Sequence, residues 1–257
     1  MLLSLWPASW SRAARSNATL AATAFLLVTL LWALGALLSF LPEPIGNNAE
    51  QFSLGARTTL WLTLVSGAIG LVLGLVAALS RTSRNAFLRQ AAAFYIWLIR
   101  GTPLLVQILF VYFALPVLVP ALVLPDFAAA VIALALNVGA YNAEAIRGAL
   151  LAVPQGQRHA ATALGMAPRQ VLGWVVLPQA ARVAMPPLAS NVVALLKDSS
   201  LAFAIGVVEL TNVGNRVQAV SFQPVATLAT TACIYLLLTT LLTQFSGALE
   251  HRLERTP

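Results

Sequence analysis

The sequence predicts an all-α, polytopic membrane protein, and three observations lead to that class. Of its 257 residues, 60% are hydrophobic and only 9% are charged, whereas a globular domain carries roughly 25% charged residues. The apolar residues are gathered in runs close to the ~20 residues that a helix needs to cross a bilayer. The basic residues are distributed unevenly between the connecting segments. The net charge of +7 therefore indicates membrane orientation and not nucleic-acid binding.

Six apolar runs are predicted to form transmembrane helices. The predicted spans are residues 19–41, 57–80, 103–120, 127–150, 186–208 and 224–247. Five reach spanning length directly, and the third reaches it if its helix continues into flanking residues. The first run is too long for a signal-peptide core, so we expect it to be retained as a helix.

The distribution of Lys and Arg predicts that both termini are cytoplasmic. In that orientation only Arg57 and Arg216 lie outside, Lys197 falls within a span, and every other basic residue lies inside. The opposite orientation would violate the positive-inside rule at almost every arginine. The acidic residues assigned to the outer loops are then Glu43, Glu50, Asp126 and Glu209.

Residues 157–178 form a soluble-looking segment between two apolar runs, on the predicted cytoplasmic side. A first short helix is expected to end at Gly165, because glycine readily takes the left-handed conformation at a helix C-terminus. Pro168 suits the start of a second helix, which is predicted to stop before Pro178. The first helix lacks the bulky apolar face and lysines typical of interfacial helices, which favours docking to a protein over lying on lipid. Its small apolar side consists of Ala160, Ala161, Ala163 and Leu164.

This segment resembles the cytoplasmic coupling loop of bacterial ABC importer permeases. The family pattern is Glu-Ala-Ala, three residues, Gly, nine residues, Ile, one residue, Leu-Pro. The corresponding residues are His159, Ala160, Ala161, Gly165, Val175, Leu177 and Pro178, with every spacing kept. The valine is a conservative change from the family's isoleucine, whereas His159 replaces a glutamate and cannot supply its charge when neutral.

Further motifs resemble the polar amino-acid uptake group of these permeases. They comprise residues 60–64 (LWLTL), 100–107 (RGTPLLVQ), a run containing Leu136, Asn137, Ala140, Tyr141, Glu144, Arg147 and Gly148, residues 195–201 with Ser199 in place of threonine, and residues 222–224. The resemblance covers about residues 53–255. It implies a transporter domain over 53–255, the five-helix core of a type I ABC importer, with a coupling loop at 154–178. By the same resemblance, residues 1–52, which comprise the N-terminal cytoplasmic segment, the first helix and the outer loop, are expected to be an N-terminal addition to this core.

The resemblance also implies partners. The chain would pair with a second permease copy or a related permease, two ATPase subunits would bind under the coupling loops, and an extracytoplasmic binding protein would deliver a polar amino acid across the bacterial inner membrane. The sequence contains no GxxxxGK[ST] phosphate loop, so ATP and Mg²⁺ are assigned to the partner ATPases. No catalytic, metal-binding or cofactor site is predicted on this chain.

The candidate residues for the translocation pathway are polar groups within the predicted spans: Gln107, Asn137, Lys197 and Asp198. Charge inside a membrane is costly unless it is paired or faces a wet cavity. Asp198, about 16 Å into a span that begins at Pro186, could meet a substrate α-ammonium group or form a structural ion pair. Gln107 and Asn137 could bond helices together or contact substrate.

Three charged residues are predicted to be structural or interfacial. Glu144 and Arg147 lie three residues apart, a spacing that permits a pair on a helix surface. Arg100 precedes the helix-breaking residues 101–103 and suits interfacial anchoring. A ligand contact is the alternative for each of them.

Two other classes of function compete with the importer subunit. A self-sufficient channel or secondary transporter would be favoured by inverted repeats, which we do not find. An intramembrane enzyme would need a motif such as Gly-x-Ser-x-Gly or His-Glu-x-x-His, and neither occurs. The sequence does not identify the substrate; acidic amino acids are favoured only because some glutamate/aspartate-type family members also lack the coupling-loop glutamate.

Overall fold

The computed structural model describes residues 12–253 together with Pro7, and this part of the chain forms helices without strands. The ends of the predicted cytoplasmic termini, residues 1–6, 8–11 and 254–257, lie outside the described residues. Short turns of 3-10 helix, Gly46–Asn48 and Pro120–Leu122, join some of the longer helices. The main helices are α1 (Arg12–Leu38), α2 (Ala49–Arg81), α3 (Ala86–Arg100), α4 (Leu104–Leu118), α5 (Asp126–Ala152), α6 (Gln155–Ala163), α7 (Pro168–Ile205), α8 (Leu210–Ser221) and α9 (Pro224–Leu253).

Among the described residues, five helices are long and apolar enough to cross a membrane: α1, α2, α5, α7 and α9. Helices α3 and α4 pass the same test only as a pair, bent by 108° at the break between them. The predicted class, an all-helical polytopic membrane protein, is confirmed. The predicted third span, 103–120, corresponds to the second arm of this bent pair, and the pair makes a sixth span only if both arms are counted together.

The bend lies at residues 101–103, where the sequence reads Gly-Thr-Pro. Proline has no N–H, and its ring disfavours the helical conformation for the residue before it. Pro103 therefore ends the continuity of α3, and its carbonyl accepts the Gln107 N–H at 3.2 Å in the first turn of α4. The change of direction leaves open space beside residues 102–104.

The bounds of helix α7 contradict two predictions. The second helix of the soluble segment was expected to stop before Pro178 and the fifth span to begin at Pro186, but one helical stretch runs from Pro168 to Ile205. A π-helical turn, Val171–Val176, ends two residues before Pro178, and its wider backbone accommodates a residue that lacks an N–H. Asp198 therefore lies near the end of a long helix, and a depth counted from Pro186 does not apply.

The centre of the bundle is the close packing of α2 on α5. Glycines make this approach possible: a Cβ atom added to Gly74 would lie 2.6 Å from the Asn142 Cβ, and one added to Gly70 would collide with Val138. Helix α7 packs against α5, while α1 packs against α2 and α9. Small residues at such contacts let two backbones pack at short range in a membrane.

Candidate functional site

A cavity of about 450 Å³ lies where the α3–α4 break meets α5 and α7. Its polar lining consists of Thr102, Asn137, Tyr141, Asn191 and Asp198. The break supplies one wall, one face of α5 supplies the second, and the C-terminal part of α7 supplies the third. The volume lies within the range typical of small-ligand sites, roughly 300–1,000 Å³.

Asp198 is the charged residue among those that line this cavity. It is half-buried at the end of the regular part of α7, just before the 3-10 turn Ser199–Ile205. Within residues 12–253 the structure gives its carboxylate no hydrogen bond and no close ion pair. An anionic group in this position is suited to a cationic group of a ligand, because an unpaired charge in a membrane protein is costly unless something compensates it.

Gln107 and Asn137 form a hydrogen-bonded amide pair next to the cavity. Gln107 donates from its Nε2 to the carbonyl of Ile99 at 2.7 Å and to Thr102 Oγ1 at 2.9 Å, across the helix break. Its Oε1 accepts from Asn137 Nδ2 at 3.1 Å. Gln107 therefore fixes the bend between α3 and α4 and orients Asn137, which is buried on α5 and lines the cavity. Of the two amides, only Asn137 reaches the lining.

The structure adds Asn191, Tyr141 and Thr102 to the candidate residues. Asn191 Nδ2 donates to the Oδ1 of the buried Asn142 at 2.9 Å, which joins α7 to α5 next to the cavity. Two spacings in the sequence indicate that these residues accompany the predicted ones. Asn191 precedes Asp198 by seven residues, and Tyr141 follows Asn137 by four. Both spacings place the two residues on one helix face.

Lys197 is a predicted pathway residue that does not line the cavity. Its side chain is exposed and absent from the cavity lining, although its neighbour Asp198 lines it. Consecutive helical residues point about 100° apart, so the two charges face different surroundings. The structure brings together Asn137 and Asp198, positions Gln107 behind them, and leaves Lys197 outside.

The three residues predicted to be structural or interfacial lie near one another. Arg147 and Glu144 form a two-pronged ion pair on α5, with Nη2–Oε2 at 2.6 Å and Nε at 3.1 Å from both carboxylate oxygens. The Arg100 guanidinium carbon lies 5.1 Å from the ring centroid of Tyr141, within the range of a cation–π contact. Tyr141 lines the cavity, so Arg100 contacts a residue of the lining without lining the cavity itself.

Helix α6 is a separate, exposed element between α5 and α7. Gly165 follows it with a φ of +80°, as the sequence predicts, and the N–H groups of Gly165 and Met166 donate to the carbonyls of Thr162 and Ala161 at 3.0 and 3.2 Å. These paired bonds are a Schellman motif, which satisfies the last carbonyls of the helix. Gly165 thereby sets the direction in which the chain leaves α6.

The predicted small-residue side of α6 divides into two surfaces. Ala161 is buried in a cluster with residues of α5 and α7, so it anchors the helix to the membrane domain. His159, Ala160 and Leu164 are exposed, Leu164 by 83%. Leu177 and Pro178 are exposed as well, but on α7 and not on a loop.

Arg158, which the motif does not include, connects α6 to the membrane domain. Its Nη2 donates to the carbonyl of Leu150 in the last turn of α5 at 2.7 Å. A cation at a helix C-terminus also meets the negative end of the helix dipole. In the sequence, Arg158 indicates only membrane orientation; the signal for its second role is its position three residues after Gln155, at the start of α6.

Glu209 is the residue whose surroundings differ most from expectation. It was assigned to an outer loop, but it is fully buried at the N-terminus of α8. Its carboxylate accepts from the N–H groups of Thr211 and Asn212 and from the Tyr235 hydroxyl, each at 2.8 Å. Burial raises the pKa of Glu209, while these hydrogen bonds act in the opposite direction. The carboxylate is a buried helix cap that joins α8 to α9.

A bundle of spanning helices that encloses a polar cavity and carries a short exposed helix between two spans defines a membrane transport component. The chain belongs to the family described as binding-protein-dependent transport system inner membrane component, whose model matches residues 70–255. Membership of this family makes it a transport subunit, in agreement with the sequence prediction, and not an enzyme.

Relatives of known assignment cover most of the chain. It is 40% identical over 200 residues to the glutamine transport system permease protein GlnP of Escherichia coli (strain K12), covering 78% of this chain and 91% of that protein. It is 39% identical over 202 residues to the L-cystine transport system permease protein TcyB of Bacillus subtilis (strain 168), covering 78% of this chain and 86% of that protein. The predicted resemblance to polar amino-acid permeases is confirmed.

Solved structures agree with this family. A crystal structure of an amino acid ABC transporter with histidines contains a chain that is 35% identical, with a TM-score of 0.76, covering 80% of this chain and 95% of that chain. An inward-facing structure of the MetNI methionine ABC transporter matches with a TM-score of 0.71 at 22% identity, over 84% of this chain and 100% of that chain. The second similarity concerns the fold alone.

Proposed function

We propose that this chain is the permease subunit of an ATP-driven importer for a polar amino acid. The observation that carries the proposal is the exposed helix α6, which is hydrogen-bonded to α5 through Arg158 and packed against α7 through the buried Ala161. A helix of nine residues is not stable by itself in water. Its anchoring therefore suits a lever that passes force from a partner to both helices that flank the cavity.

The partners in this proposal follow from the family. Two ATPase subunits, which hold ATP and Mg²⁺, dock at α6; a second permease copy or a related permease completes the membrane channel; and an extracytoplasmic binding protein supplies the substrate. The positive-inside distribution of arginines supports cytoplasmic termini and a cytoplasmic α6 in a bacterial inner membrane. Residues 53–255 would form the transporter domain and residues 1–52 an addition to it.

The substrate would pass through the cavity that contains Asn137 and Asp198. The Asp198 carboxylate is suited to the α-ammonium group, and the amides of Asn137 and Asn191 are suited to the remaining polar groups of an amino acid. The relatives named above are glutamine and L-cystine permeases, and neither of these amino acids carries a net charge. A carboxylate in the lining would repel an acidic side chain, so the cavity favours a neutral or basic amino acid over the acidic ones that the coupling loop suggested.

Co-purification and uptake test the proposal together. The full-length permease, expressed with its cognate ATPase and binding protein, should retain the ATPase through affinity purification and should take up amino acid only with ATP and the binding protein. Uptake by the permease alone, driven by an ion gradient, would instead identify a secondary transporter. Calorimetry of the binding protein with a panel of amino acids would then identify the substrate.

A further inference from the structure

Helices α1 and α2 line two further cavities, which share no lining residue with the translocation cavity. One has a volume of about 530 Å³ and lies near the turn that joins the two helices; the other, of about 380 Å³, continues toward the middle of the helix pair. Both are lined by Trp32 and Arg57. The two cavities therefore adjoin at these side chains, and together they are called the α1–α2 cleft.

The two ends of this cleft have different chemistry. The lining of the end near the turn includes several polar residues, among them Asn47, Glu50 and Ser53. The inner end is lined by apolar side chains except for Arg57, and includes Leu27, Val28, Leu31, Leu60, Trp61 and Leu64. A polar pocket that leads into an apolar groove has the layout of a phospholipid, whose headgroup and acyl chain need these two surroundings.

Arg57 lies at the junction and has an incomplete set of partners. Its side chain is exposed, and its guanidinium donates from Nη2 to the Leu31 carbonyl at 3.1 Å. The described part of the chain gives it no carboxylate partner. Guanidinium groups bind phosphate through two parallel hydrogen bonds, and a positive charge beside an apolar groove in a membrane needs such an anion.

Glu50 adds selectivity for the headgroup. It precedes Arg57 by seven residues, so both side chains project from one face of α2 with their Cα atoms about 10 Å apart. The site therefore holds one positive and one negative group, an arrangement that matches a zwitterion and not an anionic lipid. A primary ammonium group can donate hydrogen bonds to the Glu50 carboxylate, whereas a trimethylammonium group cannot.

Two tryptophans flank the cleft. Trp32 on α1 is 81% exposed and Trp61 on α2 is 62% exposed. Indole rings are enriched at the boundary between hydrocarbon and headgroups, where an apolar ring and an N–H donor are both accommodated. Their position beside Arg57 matches a cleft that opens at the level of lipid phosphates.

We propose that the α1–α2 cleft is a binding site for one phosphatidylethanolamine molecule. The lipid phosphate binds Arg57, and its ammonium group binds Glu50. One acyl chain occupies the apolar groove between Val28 of α1 and Leu64 of α2, both of which line the cleft and are exposed on the surface of the chain. Each part of the lipid thus meets a group of matching charge or polarity.

Native mass spectrometry of the full-length permease tests the site by counting the lipids it retains. The wild-type chain should bind one phosphatidylethanolamine more tightly than phosphatidylglycerol or phosphatidylcholine. Arg57→Gln should weaken this binding about tenfold, the loss expected for a charged hydrogen-bonded contact, and Arg57→Lys should weaken it less. The matched control is Arg216→Gln, because Arg216 is exposed but lies outside the cleft; it should bind lipid like the wild type.

Glu50→Gln separates the two headgroup contacts. It should abolish the preference for phosphatidylethanolamine over phosphatidylglycerol while phosphate binding through Arg57 persists. Equal lipid retention by the wild type, Arg57→Gln and Arg216→Gln would overturn the proposal, and so would a wild-type chain without headgroup preference.

Photo-crosslinking in membranes distinguishes lipid from protein as the occupant. A benzophenone amino acid replacing Val28, which lines the apolar end of the cleft, should form adducts with lipid. Adducts with a second permease chain would identify the cleft as a subunit interface and would overturn the lipid assignment.

Discussion

The cavity and the surface of helix α6 differ in which groups they bury and which they expose, as Asn137 and Leu164 illustrate. The Asn137 amide is buried in the helix bundle and bonded to Gln107, whereas the apolar side chain of Leu164, at the end of α6, is largely exposed. The cavity thus protects polar groups inside a membrane domain, and the α6 surface presents apolar groups outside it. In the function proposed above, the cavity would receive the substrate and the α6 surface would receive the force from a partner.

The largest effect is expected at the turn that sets the direction of α6. Gly165→Pro should abolish ATP-driven uptake, because proline cannot adopt the φ of +80° found there and removes the N–H that bonds to Thr162. Membrane insertion should persist, since the turn lies outside the predicted spans. Uptake and membrane abundance should be measured in the same cells.

The matched control for this change is Gly156→Ala. Gly156 lies within α6, and a Cβ atom added there meets nothing within 4 Å. This variant should transport like the wild type. Normal uptake by Gly165→Pro would mean that the direction of α6 does not matter for coupling.

The next effect concerns the charged group of the cavity. Asp198→Asn should reduce uptake by about tenfold or more, which corresponds to about 1.4 kcal/mol or more of lost substrate interaction, while the ATPase still co-purifies. Lys197→Gln is the control, because Lys197 is adjacent in sequence but outside the cavity. If both variants lose uptake equally, the charge at this level of α7 matters for structure and not for the substrate.

Much of this contrast is predictable from the sequence because it follows from solvent. Apolar runs and arginine placement respond to the bilayer alone, and Gly165 meets a backbone requirement that few other residues satisfy. The continuity of α7 through Pro178 was not predictable, because proline ordinarily ends a helix and a π-helical turn here absorbs it. The burial of Glu209 depends on Tyr235, which lies 26 residues away, so no local pattern reports it.

A smaller effect is expected at the link between the two regions. Arg158→Gln should lower uptake severalfold, because the Leu150 carbonyl loses a charge-assisted hydrogen bond and α6 is held less firmly against α5. ATPase binding should persist through the exposed residues of α6. The diagnostic readout is the ratio of ATP hydrolysed to amino acid transported, which should rise; an unchanged ratio would show that Arg158 only stabilises the fold. Arg169→Gln, at an exposed arginine beside α6, is the control.

The smallest effect separates the two roles of Asn137. Its amide bonds to Gln107 and also lines the cavity, whereas Gln107 lies behind the lining. Hydrogen bonds between membrane helices contribute about 0.6 kcal/mol on average, so loss of this bond alone should change uptake about threefold.

If Asn137 acts only through the bond, adding Asn137→Ala to Gln107→Ala should change neither KM nor kcat any further. If Asn137 also contacts substrate, the double variant should have a higher KM than Gln107→Ala alone. An unchanged KM would assign Asn137 to the scaffold and leave Asp198 and Asn191 as the polar groups that contact the substrate.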